Sequence, residues 1–511
     1  MRARLLPLIL VAGAITAGLL LIRSKRSGAQ TVTLALAAPP GTPVVRVGGV
    51  LPVHPIASGF VGLSLEYPAL SSYAGTRAGR LDPVFVQLIR NLTPGQAPVL
   101  RIGGDSTDSS WVPVAGMRRP PGIKYAIGPA WLRLLGALTR ALRARMIFGI
   151  NLEAASTKLA AFEARALIAA VGRSSVDALE IGNEPELYGS FRWYRAPNGI
   201  GFPGRPASYD LPSYITDYSN FAQALPAVPL AGPATGSVAW MSQLQPFVMA
   251  VPRLGLVTSH RYPLNRCFTP VTSSTYPSVR HLLATASSAG LADTVAQDVV
   301  IAHAHGLPLR IDELNSVACE GKRGVSNTFA SALWALDTLF QMARVGVDGV
   351  NMHTLPGSEY QPFELTQANT GWHGRVEPEY YGMLMFTEAA PPGSKLLAVS
   401  GSPGGQIRTW ATRAPDGRIR VVLINEYTRH PRDIAVRIGG MSRPAALSRL
   451  SAPSLAATSN VTIGGQSFGP KTGTGLLQGQ SQPIAVVPVA GRYVVRLPPG
   501  SAAMLTFTAA R

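Results

Sequence analysis

The sequence predicts an α/β protein: a (β/α)8 TIM barrel followed by a C-terminal β-sandwich domain. The first observation is that short apolar runs alternate eight times with helix-like segments between residues 57 and 390. The second is that this pattern stops at the Pro-Pro-Gly of residues 391–393, beyond which short alternating runs are punctuated by Gly, Pro and Ser. With 511 residues, 46% of them hydrophobic, the chain can bury the cores of both domains.

Each predicted barrel strand is a mostly apolar run, as expected for a parallel strand that is covered on both faces. The strands are expected at residues 60–66, 99–105, 146–151, 176–181, 228–234, 256–262, 309–313 and 347–353, and the clearest helices at 82–92, 129–143, 158–171 and 327–344. The largest loop, residues 190–212, follows the fourth strand and carries Phe191, Trp193 and Tyr194. Because loops after strands form the functional face of a barrel, we expect this loop to shape the binding site.

The remaining strand-like material is assigned to the β-sandwich. Strands are expected there at residues 406–413, 418–427, 433–438, 484–489, 492–497 and 502–508. Residues 31–56 combine a Pro-rich linker with β-branched residues, and we expect their strand material to join the same sandwich. The predicted order is therefore a leader (1–30), this joining segment (31–56), the barrel (57–390) and the C-terminal β-sandwich (391–511).

The N-terminus predicts export. The apolar run Leu5–Ile22 just reaches the length of a bilayer span, and basic residues flank it on both sides. Residues 1–30 are therefore either a cleaved signal peptide or a retained anchor that attaches the protein to a membrane through residues 5–22. Either alternative gives a secreted or membrane-anchored protein whose barrel lies outside the cytoplasm.

Two strand ends carry glutamates suited to catalysis. Val176 to Ile181 forms an apolar run that Gly182 ends, leaving Asn183 and Glu184 at its carboxyl end. The run from Leu309 leads in the same way into Glu313. Carboxyl ends of barrel strands hold the chemistry, and a glycosidase needs two carboxyl groups flanking the anomeric carbon. We therefore expect Glu184 and Glu313 to face one another across a cleft and to hydrolyse a glycosidic bond.

Further strand-end residues are candidates for substrate binding. Glu66 closes the first strand, and Asp105 follows two glycines that allow close backbone approach to a ligand. His260 and Tyr262 share one face of the sixth strand, from which Tyr262 can orient the Glu313 carboxylate. For each of these, the alternative is an ordinary structural role. Arg101 and Glu180 are expected to form a structural ion pair lower in the barrel.

The sequence predicts neither a metal site nor a nucleotide cofactor. His303 and His305 lie in a helical segment without a carboxylate or Cys at ligand spacing. GxGxxG and P-loop patterns are absent from the sequence. The even, sparse cysteine count, Cys267 and Cys319, suits one disulfide in an oxidising compartment, because each cysteine follows a strand end on the same barrel face.

The chain is strongly basic, with 46 Lys and Arg against 27 Asp and Glu and a net charge of +19. One explanation is a compositional bias toward arginine. The other is a surface that attracts polyanions such as acidic polysaccharides. Nucleic acid is not an expected partner, because the sequence has no known nucleic-acid fold signature.

Several motifs together resemble glycoside hydrolase family 79, which contains β-glucuronidases and heparanases. They are VLRIGGDSTDSSW (99–111), EIGNEPELYG (180–189), SHRYP (259–263), RIDELNS (310–316) and GSEYQPF (357–363). The resemblance implies that Glu184 is the acid/base, Glu313 the nucleophile and Asn183 a sugar contact. It also implies that Tyr360 and an adjacent backbone amide bind the uronate carboxylate, although Glu359 stands where a small residue would suit that site better.

The resulting expectation is an exported β-glucuronidase that retains anomeric configuration and cleaves glucuronic acid from glycans or glycoconjugates. Two alternatives remain open at this stage. One is another retaining glycosidase of the same clan, either an endo-acting heparanase-like enzyme or an arabinofuranosidase. The other is a non-catalytic glycan-binding protein on a barrel scaffold.

Overall fold

The computed structural model describes residues 31–401 and 403–508, and its centre is a closed barrel of eight parallel strands. Sequential strands are neighbours around the barrel, and the eighth pairs with the first. The strands are Val61–Glu66, Val99–Gly103, Arg145–Ile150, Val176–Ile181, Leu230–Thr235, Leu254–Arg261, Leu309–Leu314 and Gly349–Thr354. The predicted (β/α)8 fold is confirmed, with strand boundaries shifted by a few residues at most.

Helices surround the barrel and are capped by residues visible in the sequence. Asp82, for example, accepts hydrogen bonds from the amides of Val84 and Phe85, and Pro83 occupies the first helical position. The helices are Ala69–Ala74, Pro83–Leu92, Pro129–Leu142, Thr157–Val171, Leu211–Ala224, Val238–Met241, Leu244–Ala250, Val279–Leu282, Leu291–Asp293, Ala296–Ala304, Phe329–Arg344 and Pro378–Ala389. Within the described ranges, no helix combines the length and apolar character needed to cross a bilayer. The expected leader, residues 1–30, lies outside those ranges.

The loops at the carboxyl ends of the strands contain small elements of their own. A hairpin of Arg192–Arg195 and Gly201–Pro203 lies in the long loop after the fourth strand. A second hairpin, Phe363–Ala368 with Gly371–Val376, follows the eighth strand. The loops after the sixth and seventh strands are joined by a disulfide between Cys267 and Cys319, whose Cα atoms are 6.3 Å apart. These connections fix the rim of the barrel mouth.

The C-terminal domain is an 11-stranded sheet that folds around a second apolar core. Strands from both ends of the chain contribute, since Val32–Leu34 pairs with Ile484–Val486, and Val44–Val50 lies between Lys395–Ser400 and Arg432–Ile438. The other strands are Ile407–Arg413, Ile419–Asn425, Ala445–Ser451, Thr462–Ile463, Tyr493–Leu497 and Ser501–Phe507.

The sequence-based assignment lacks three strands of this sheet, the short Thr462–Ile463 and two longer ones. Lys395–Ser400 and Ala445–Ser451 consist largely of Ala, Leu and Ser, residues with little intrinsic preference for strands. Their pairing partners place them in the sheet instead. Ala445–Ser451, for instance, is held between Ile484–Val486 and Ser501–Phe507.

The two domains meet along the helices Phe329–Arg344 and Pro378–Ala389. The indole of Trp410 stacks on Phe340 with ring centroids 5.3 Å apart and donates a hydrogen bond to Asp337 Oδ1 at 2.8 Å. Arg408 lies beside the same carboxylate and contacts Glu426 at 3.1 Å. Packing and buried polar contacts therefore hold the β-sandwich on the outside of the barrel, and its residue Thr472 also pairs with Gly374 in the hairpin after the eighth strand.

Gly382 marks the closest approach of these two helices. A Cβ atom at this position would overlap the carbonyl oxygen of Ala332. We expect Gly382→Ala to destabilise the protein by about 1–3 kcal/mol through overpacking, which outweighs the helix-propensity gain of about 1 kcal/mol. Thermal unfolding tests this, with Gly79→Ala as control because position 79 has open space around it. Equal unfolding temperatures for both variants would contradict the packing argument.

Candidate active site

Arg101, on the second barrel strand, is the centre of the polar network inside the barrel mouth. Its side chain is fully buried. Nε lies 2.7 Å from Glu180 and 3.0 Å from Asp312, and Nη1 donates to Glu313 Oε2 at 2.7 Å. Nη2 donates to Asn183 Oδ1 at 2.8 Å. Arg101 and Glu180 form the expected ion pair, but the same guanidinium also holds both Glu313 and Asn183.

A β-bulge lets neighbouring side chains of the seventh strand reach this guanidinium. In the register of the two strands, Ser259 on the sixth strand pairs with Ile311 on the seventh, whereas the next residue, His260, pairs with Glu313. Asp312 is therefore the extra residue of the bulge, and the register toward the eighth strand shifts across the same segment. Bulges redirect side chains and are frequent beside active sites. Here the bulge brings Asp312 and Glu313, adjacent in sequence, to one arginine.

Glu313 is held in its ionised form. Burial by itself would raise the pKa of this carboxyl group. The electrostatic effect of His353, His260 and Arg101 opposes burial, and the Tyr262 hydroxyl donates a hydrogen bond to Oε1 at 2.8 Å. The result is a pKa well below the usual range for glutamate. Arg101 is the partner whose charge persists at every relevant pH.

Glu184 stands at the tip of the fourth strand in a left-handed backbone conformation, with φ 45° and ψ 55°. This region is uncommon for residues other than glycine and is found at functional sites. The amide of Glu184 donates to the carbonyl of Ala234 at 2.8 Å, and Pro185 starts a short 3-10 turn directly afterwards. The side chain is 23% exposed and faces the cleft, which leaves it accessible to a substrate.

Asp108 anchors the segment around Glu184. Its Oδ2 accepts hydrogen bonds from the amide of Asn183 at 3.1 Å and from the hydroxyl of Tyr188 at 2.5 Å. Its Oδ1 accepts from the amides of Leu152 and Glu153 after the third strand. One buried carboxylate thus ties together the ends of the second, third and fourth strands and sets the position of the Asn-Glu-Pro tip.

His260 lies between the two candidate catalytic glutamates. Its Nδ1 is 3.1 Å from Glu184 Oε1, and its Nε2 is 3.2 Å from Arg101 Nη2. Burial opposes a charge on His260, but the carboxylate of Glu313 and the hydrogen bond to Glu184 raise its pKa to about 9, so the ring is an imidazolium at neutral pH and its Nδ1–H donates to Glu184. Carboxylate oxygens of Glu184 and Glu313 come within 4.8 Å of each other. This separation suits a retaining glycosidase, at about 5–5.5 Å, and not an inverting one, at about 6.5–9.5 Å.

Glu66 and Asp105 lie on the neighbouring wall of the cleft. Glu66 accepts hydrogen bonds from the amides of Asp105 at 3.0 Å and Ser106 at 2.8 Å. Burial, reinforced by the charge of Asp105, raises the pKa of Glu66 to about 8, so it is protonated at neutral pH and can donate to a sugar hydroxyl. Gly104 is required between them, since its φ is +77° and a Cβ would overlap the Glu66 carboxyl group. Asp105 itself is exposed at the mouth.

Tyr360 lies on the opposite side, after the eighth strand. It is 4% exposed, and its ring packs against Tyr262 and edge-on against His353. Burial raises the pKa of Tyr360 well above its usual value, so its hydroxyl stays protonated and can donate. The preceding Glu359 turns toward Arg323, with Oε1 3.6 Å from Nε. That carboxylate therefore has a partner on the rim and is not an unpaired charge beside Tyr360.

Potential metal ligands also occur in and below the cleft. Two groups, Glu180/His260/Asp312 and Glu184/His260/Glu313, share His260. Arg101 already contacts three of these carboxylates, those of Glu180, Asp312 and Glu313, and we therefore assign charge balance there to the guanidinium and not to a metal cation. At the opposite end of the barrel, His303 contacts Asp348 at 2.8 Å and stacks on His54. Spacing along the chain does not reveal this pair, because His303 and Asp348 are 45 residues apart and approach each other only in the fold.

The sequence analysis does not predict the contacts that Arg101, Asp312 and Asp108 make at this site. Arg101 was assigned a purely structural ion pair, and neither Asp312 nor Asp108 was expected at the site. A charged residue inside an otherwise apolar strand is a usable signal for Arg101, since buried charges require partners. For Asp108, whose four partners come from two other loops, the sequence carries no comparable signal.

Comparison with known proteins relates the chain to glycosidases. Residues 409–504 match the glycosyl hydrolase family 79 C-terminal beta domain. A β-glucuronidase of Neurospora crassa is 24% identical over 431 residues, which cover 75% of this chain and 74% of the fungal protein. A β-glucuronidase of Aspergillus niger is 23% identical over 404 residues, covering 73% and 72% respectively.

The architecture also occurs in a solved structure. A 4-O-α-L-rhamnosyl-β-D-glucuronidase of Fusarium oxysporum, determined as a Rha-GlcA complex, superposes with a TM-score of 0.71 at 22% identity. The alignment covers 91% of this chain and all of the Fusarium chain. The (β/α)8 barrel with an attached β domain is therefore shared over nearly the whole chain. Together with the matched C-terminal domain, these findings confirm the resemblance to glycoside hydrolase family 79 and identify the chain as a glycoside hydrolase.

Proposed function

We propose that the chain is a retaining β-glucuronidase that removes β-linked glucuronic acid by double displacement. The observation that carries the proposal is the pair of glutamates at the ends of the fourth and seventh strands, whose oxygens lie within 4.8 Å. Their surroundings differ, because Glu313 is held ionised by Arg101 and Tyr262 whereas Glu184 is accessible at the cleft surface. The match to the family 79 C-terminal domain and the fungal β-glucuronidases support glucuronic acid as the sugar.

In the first step, the ionised Glu313 attacks the anomeric carbon while Glu184 donates a proton to the glycosidic oxygen. The bond from the anomeric carbon to that oxygen breaks, the aglycone leaves as an alcohol, and a glycosyl ester forms on Glu313. In the second step, Glu184 removes a proton from a water molecule, which attacks the same carbon and displaces Glu313. Two inversions give net retention of configuration.

The cleft walls supply contacts for the sugar. Asn183 has its Oδ1 fixed by Arg101, which directs its amide nitrogen toward the cleft. Glu66, protonated at neutral pH, faces the sugar hydroxyls from the first strand. The Tyr360 hydroxyl is the donor for the uronate carboxylate. The adjacent Glu359 pairs with Arg323, which offsets its negative charge beside this site.

The alternatives are less well supported by the site. A non-catalytic glycan-binding protein has no need for a carboxylate that is kept ionised against burial, as Glu313 is. The arabinose unit that an arabinofuranosidase removes has no carboxylate, so such an enzyme would not need the Tyr360 hydroxyl as a donor to a uronate. A location outside the cytoplasm is favoured by the disulfide Cys267–Cys319, which persists in oxidising compartments. Membrane attachment through residues 5–22 stays a prediction.

Glu313→Ala and Glu184→Ala test the two catalytic roles. We expect each to lower kcat on an aryl β-glucuronide by about a thousandfold or more. Azide should rescue both, because it fits the space left by either carboxylate. The product should be the β-azide for Glu184→Ala, where azide replaces water, and the α-azide for Glu313→Ala, where azide replaces the nucleophile.

NMR of the products distinguishes the two anomers. Glu364→Gln serves as a control, since this exposed glutamate pairs with Arg375 on the outer hairpin and should leave turnover within about twofold of the wild type. If Glu184→Ala gave the α-azide and Glu313→Ala the β-azide, the two catalytic roles would be reversed. Near wild-type activity of Glu313→Ala would contradict the double-displacement mechanism.

Tyr262→Phe tests how Glu313 is kept ionised. The Tyr262 hydrogen bond helps to hold the pKa of Glu313 low, so its loss must raise that pKa. The acidic limb of the pH profile of kcat/KM should therefore move to higher pH, with an activity loss of about tenfold to a hundredfold at the optimum. An unchanged acidic limb would show that Glu313 does not set it.

Tyr360→Phe tests recognition of the uronate. Loss of the hydroxyl should lower kcat/KM for an aryl β-glucuronide by about tenfold to a hundredfold, with a much smaller effect on the slow hydrolysis of the matching β-glucoside. Glu359→Gln is the matched control, because its side chain faces Arg323. An equal loss on both substrates would assign Tyr360 to packing and leave the uronate donor to another residue.

A further inference from the structure

Three side chains that can bind a metal ion meet at the amino-terminal end of the barrel, opposite the active site. His303 lies near the end of the helix Ala296–Ala304, Asp348 directly precedes the eighth strand, and His54 comes from the segment before the first strand. Their ligand atoms all lie within 4.8 Å of one another. Two of the eight histidines of the chain thus meet at one carboxylate. We refer to these three residues as the basal cluster.

The two oxygens of Asp348 contact different histidines. Oδ2 is 2.8 Å from His303 Nε2, and Oδ1 is 3.9 Å from His54 Nδ1. A tetrahedral ion that binds nitrogen and oxygen at about 2.0–2.2 Å holds such atoms about 3.3 Å apart. The two observed distances lie on either side of this value. Shifts of about 0.5–0.6 Å would therefore bring both histidines into binding range of one ion.

The arrangement of the two imidazole rings also suits a shared ion. Their centroids are 4.6 Å apart, with an interplanar angle of 19°. Two imidazoles that bind one tetrahedral ion at about 2.0–2.1 Å have centroids about 5 Å apart. His54 is the member that can adjust, because its side chain is 67% exposed. Pro55 restricts the backbone that carries it, so that the adjustment is a rotation of the side chain.

The carboxylate of Asp348 is held in place by the neighbouring seventh strand. The backbone amide of Asp348 donates to the carbonyl of Leu309 at 2.8 Å, and the amide of Leu309 donates to Oδ2 at 2.8 Å. Hydrogen bonds of this kind orient metal-binding carboxylates. An ion pair between helix and strand would need only His303, whereas His54 brings a second nitrogen donor to the same carboxylate.

The donor atoms of the basal cluster select the kind of ion. Two imidazole nitrogens with a carboxylate oxygen suit Zn²⁺ and neighbouring transition metals, whereas Mg²⁺ and Ca²⁺ prefer oxygen ligands. Within the described ranges, no lysine or arginine nitrogen lies within 4 Å of the Asp348 carboxylate, in contrast to the cleft, where Arg101 contacts three carboxylates. His303 and Asp348 are 24% and 23% exposed, which leaves access for an ion and for water as a further ligand.

His54 belongs to the segment that leads from the β-sandwich into the barrel. Two residues later, the amide of Ile56 donates to the carbonyl of Ser394, at the start of the C-terminal domain, at 2.8 Å. An ion bound to His54 would therefore fasten the connection between the two domains to the amino-terminal end of the barrel.

We propose that the basal cluster is a structural site for one Zn²⁺ or a similar transition-metal ion, bound by His54 Nδ1, His303 Nε2 and the Asp348 carboxylate. The ion takes the place of the proton between His303 and Asp348, and that proton is released to the solvent. The ion stabilises the fold and takes no part in the proposed glycosidase reaction at the other end of the barrel. This site differs from the sequence-based expectation, in which His303 has no partner ligands.

Calorimetric titration of the whole protein with Zn²⁺, after removal of bound metal with a chelator, tests the proposal. We expect one ion per chain, and Zn²⁺ at about a hundred times its Kd should raise the unfolding temperature by about 2–4 °C. His54→Ala removes an exposed side chain and should weaken binding by about tenfold to a hundredfold. Mg²⁺ in place of Zn²⁺ should leave the unfolding temperature unchanged.

His305→Ala is the matched control, because His305 is an exposed histidine just beyond the same helix and contacts Gln245 instead of a carboxylate. It should bind Zn²⁺ as the wild type does. His303→Ala is a second test of the cluster and should lose binding as His54→Ala does. A crystal soaked in Zn²⁺ should show an anomalous peak among the three side chains.

Three outcomes would overturn the proposal. Unchanged Zn²⁺ binding by His54→Ala would leave His303 and Asp348 as an ordinary ion pair. Loss of binding in Glu184→Gln, with His54→Ala unaffected, would place the ion in the cleft, where Glu184, His260 and Glu313 form another potential ligand group. Saturation of the wild type only at millimolar Zn²⁺, without a rise in unfolding temperature, would show adventitious surface binding.

Discussion

The buried guanidinium of Arg101 is the interaction on which the site depends. A charge in the barrel interior is tolerated only when it is paired and hydrogen-bonded. Arg101 meets Glu180, Asp312 and Glu313 within 3.0 Å. Burial and the nearby Glu180 raise the pKa of Asp312 well above its usual value, which favours the neutral carboxyl group and limits the negative charge around the arginine. The hydrogen bond from Arg101 to Glu313 pairs the buried charge of the arginine. It also keeps Glu313 ionised and oriented, so the same contact serves both the stability of the barrel interior and the proposed chemistry.

The barrel makes this arrangement possible because parallel strands deliver their carboxyl ends to one face. Local irregularities then aim the side chains. The bulge at Asp312 turns two consecutive residues inward, the left-handed conformation of Glu184 lifts its carboxylate toward the opening, and Gly104 lets the backbone pass close to Glu66. Each irregularity is stabilised by hydrogen bonds from a neighbouring strand or loop, and rigid elements of this kind hold catalytic groups within reach of one sugar carbon.

The cleft that the substrate meets gathers carboxyl groups whose pKa values are shifted in opposite directions. Burial raises the pKa of Glu66 to about 8, whereas the charges of His353, His260 and Arg101 hold the pKa of Glu313 well below its usual range. Asp108 accepts a hydrogen bond from the amide of Asn183 through its carboxylate and one from the indole of Trp193 through its backbone carbonyl. One residue therefore holds both the Asn183–Glu184 tip and the loop that follows the fourth strand.

The sequence by itself determined the strand–helix alternation and the placement of Glu184 and Glu313 at strand ends, because a parallel strand covered on both faces must be apolar until it leaves the barrel. Its motifs also identified the family resemblance that the C-terminal domain confirms. Only the tertiary structure decided the contacts between distant positions. Arg101 and Glu313 are 212 residues apart, and the Ala- and Ser-rich strand Ala445–Ser451 is a strand only because its neighbours in the sheet pair with it. Local sequence encodes local preference, whereas buried charge pairs and sheet register depend on which segments the fold brings together.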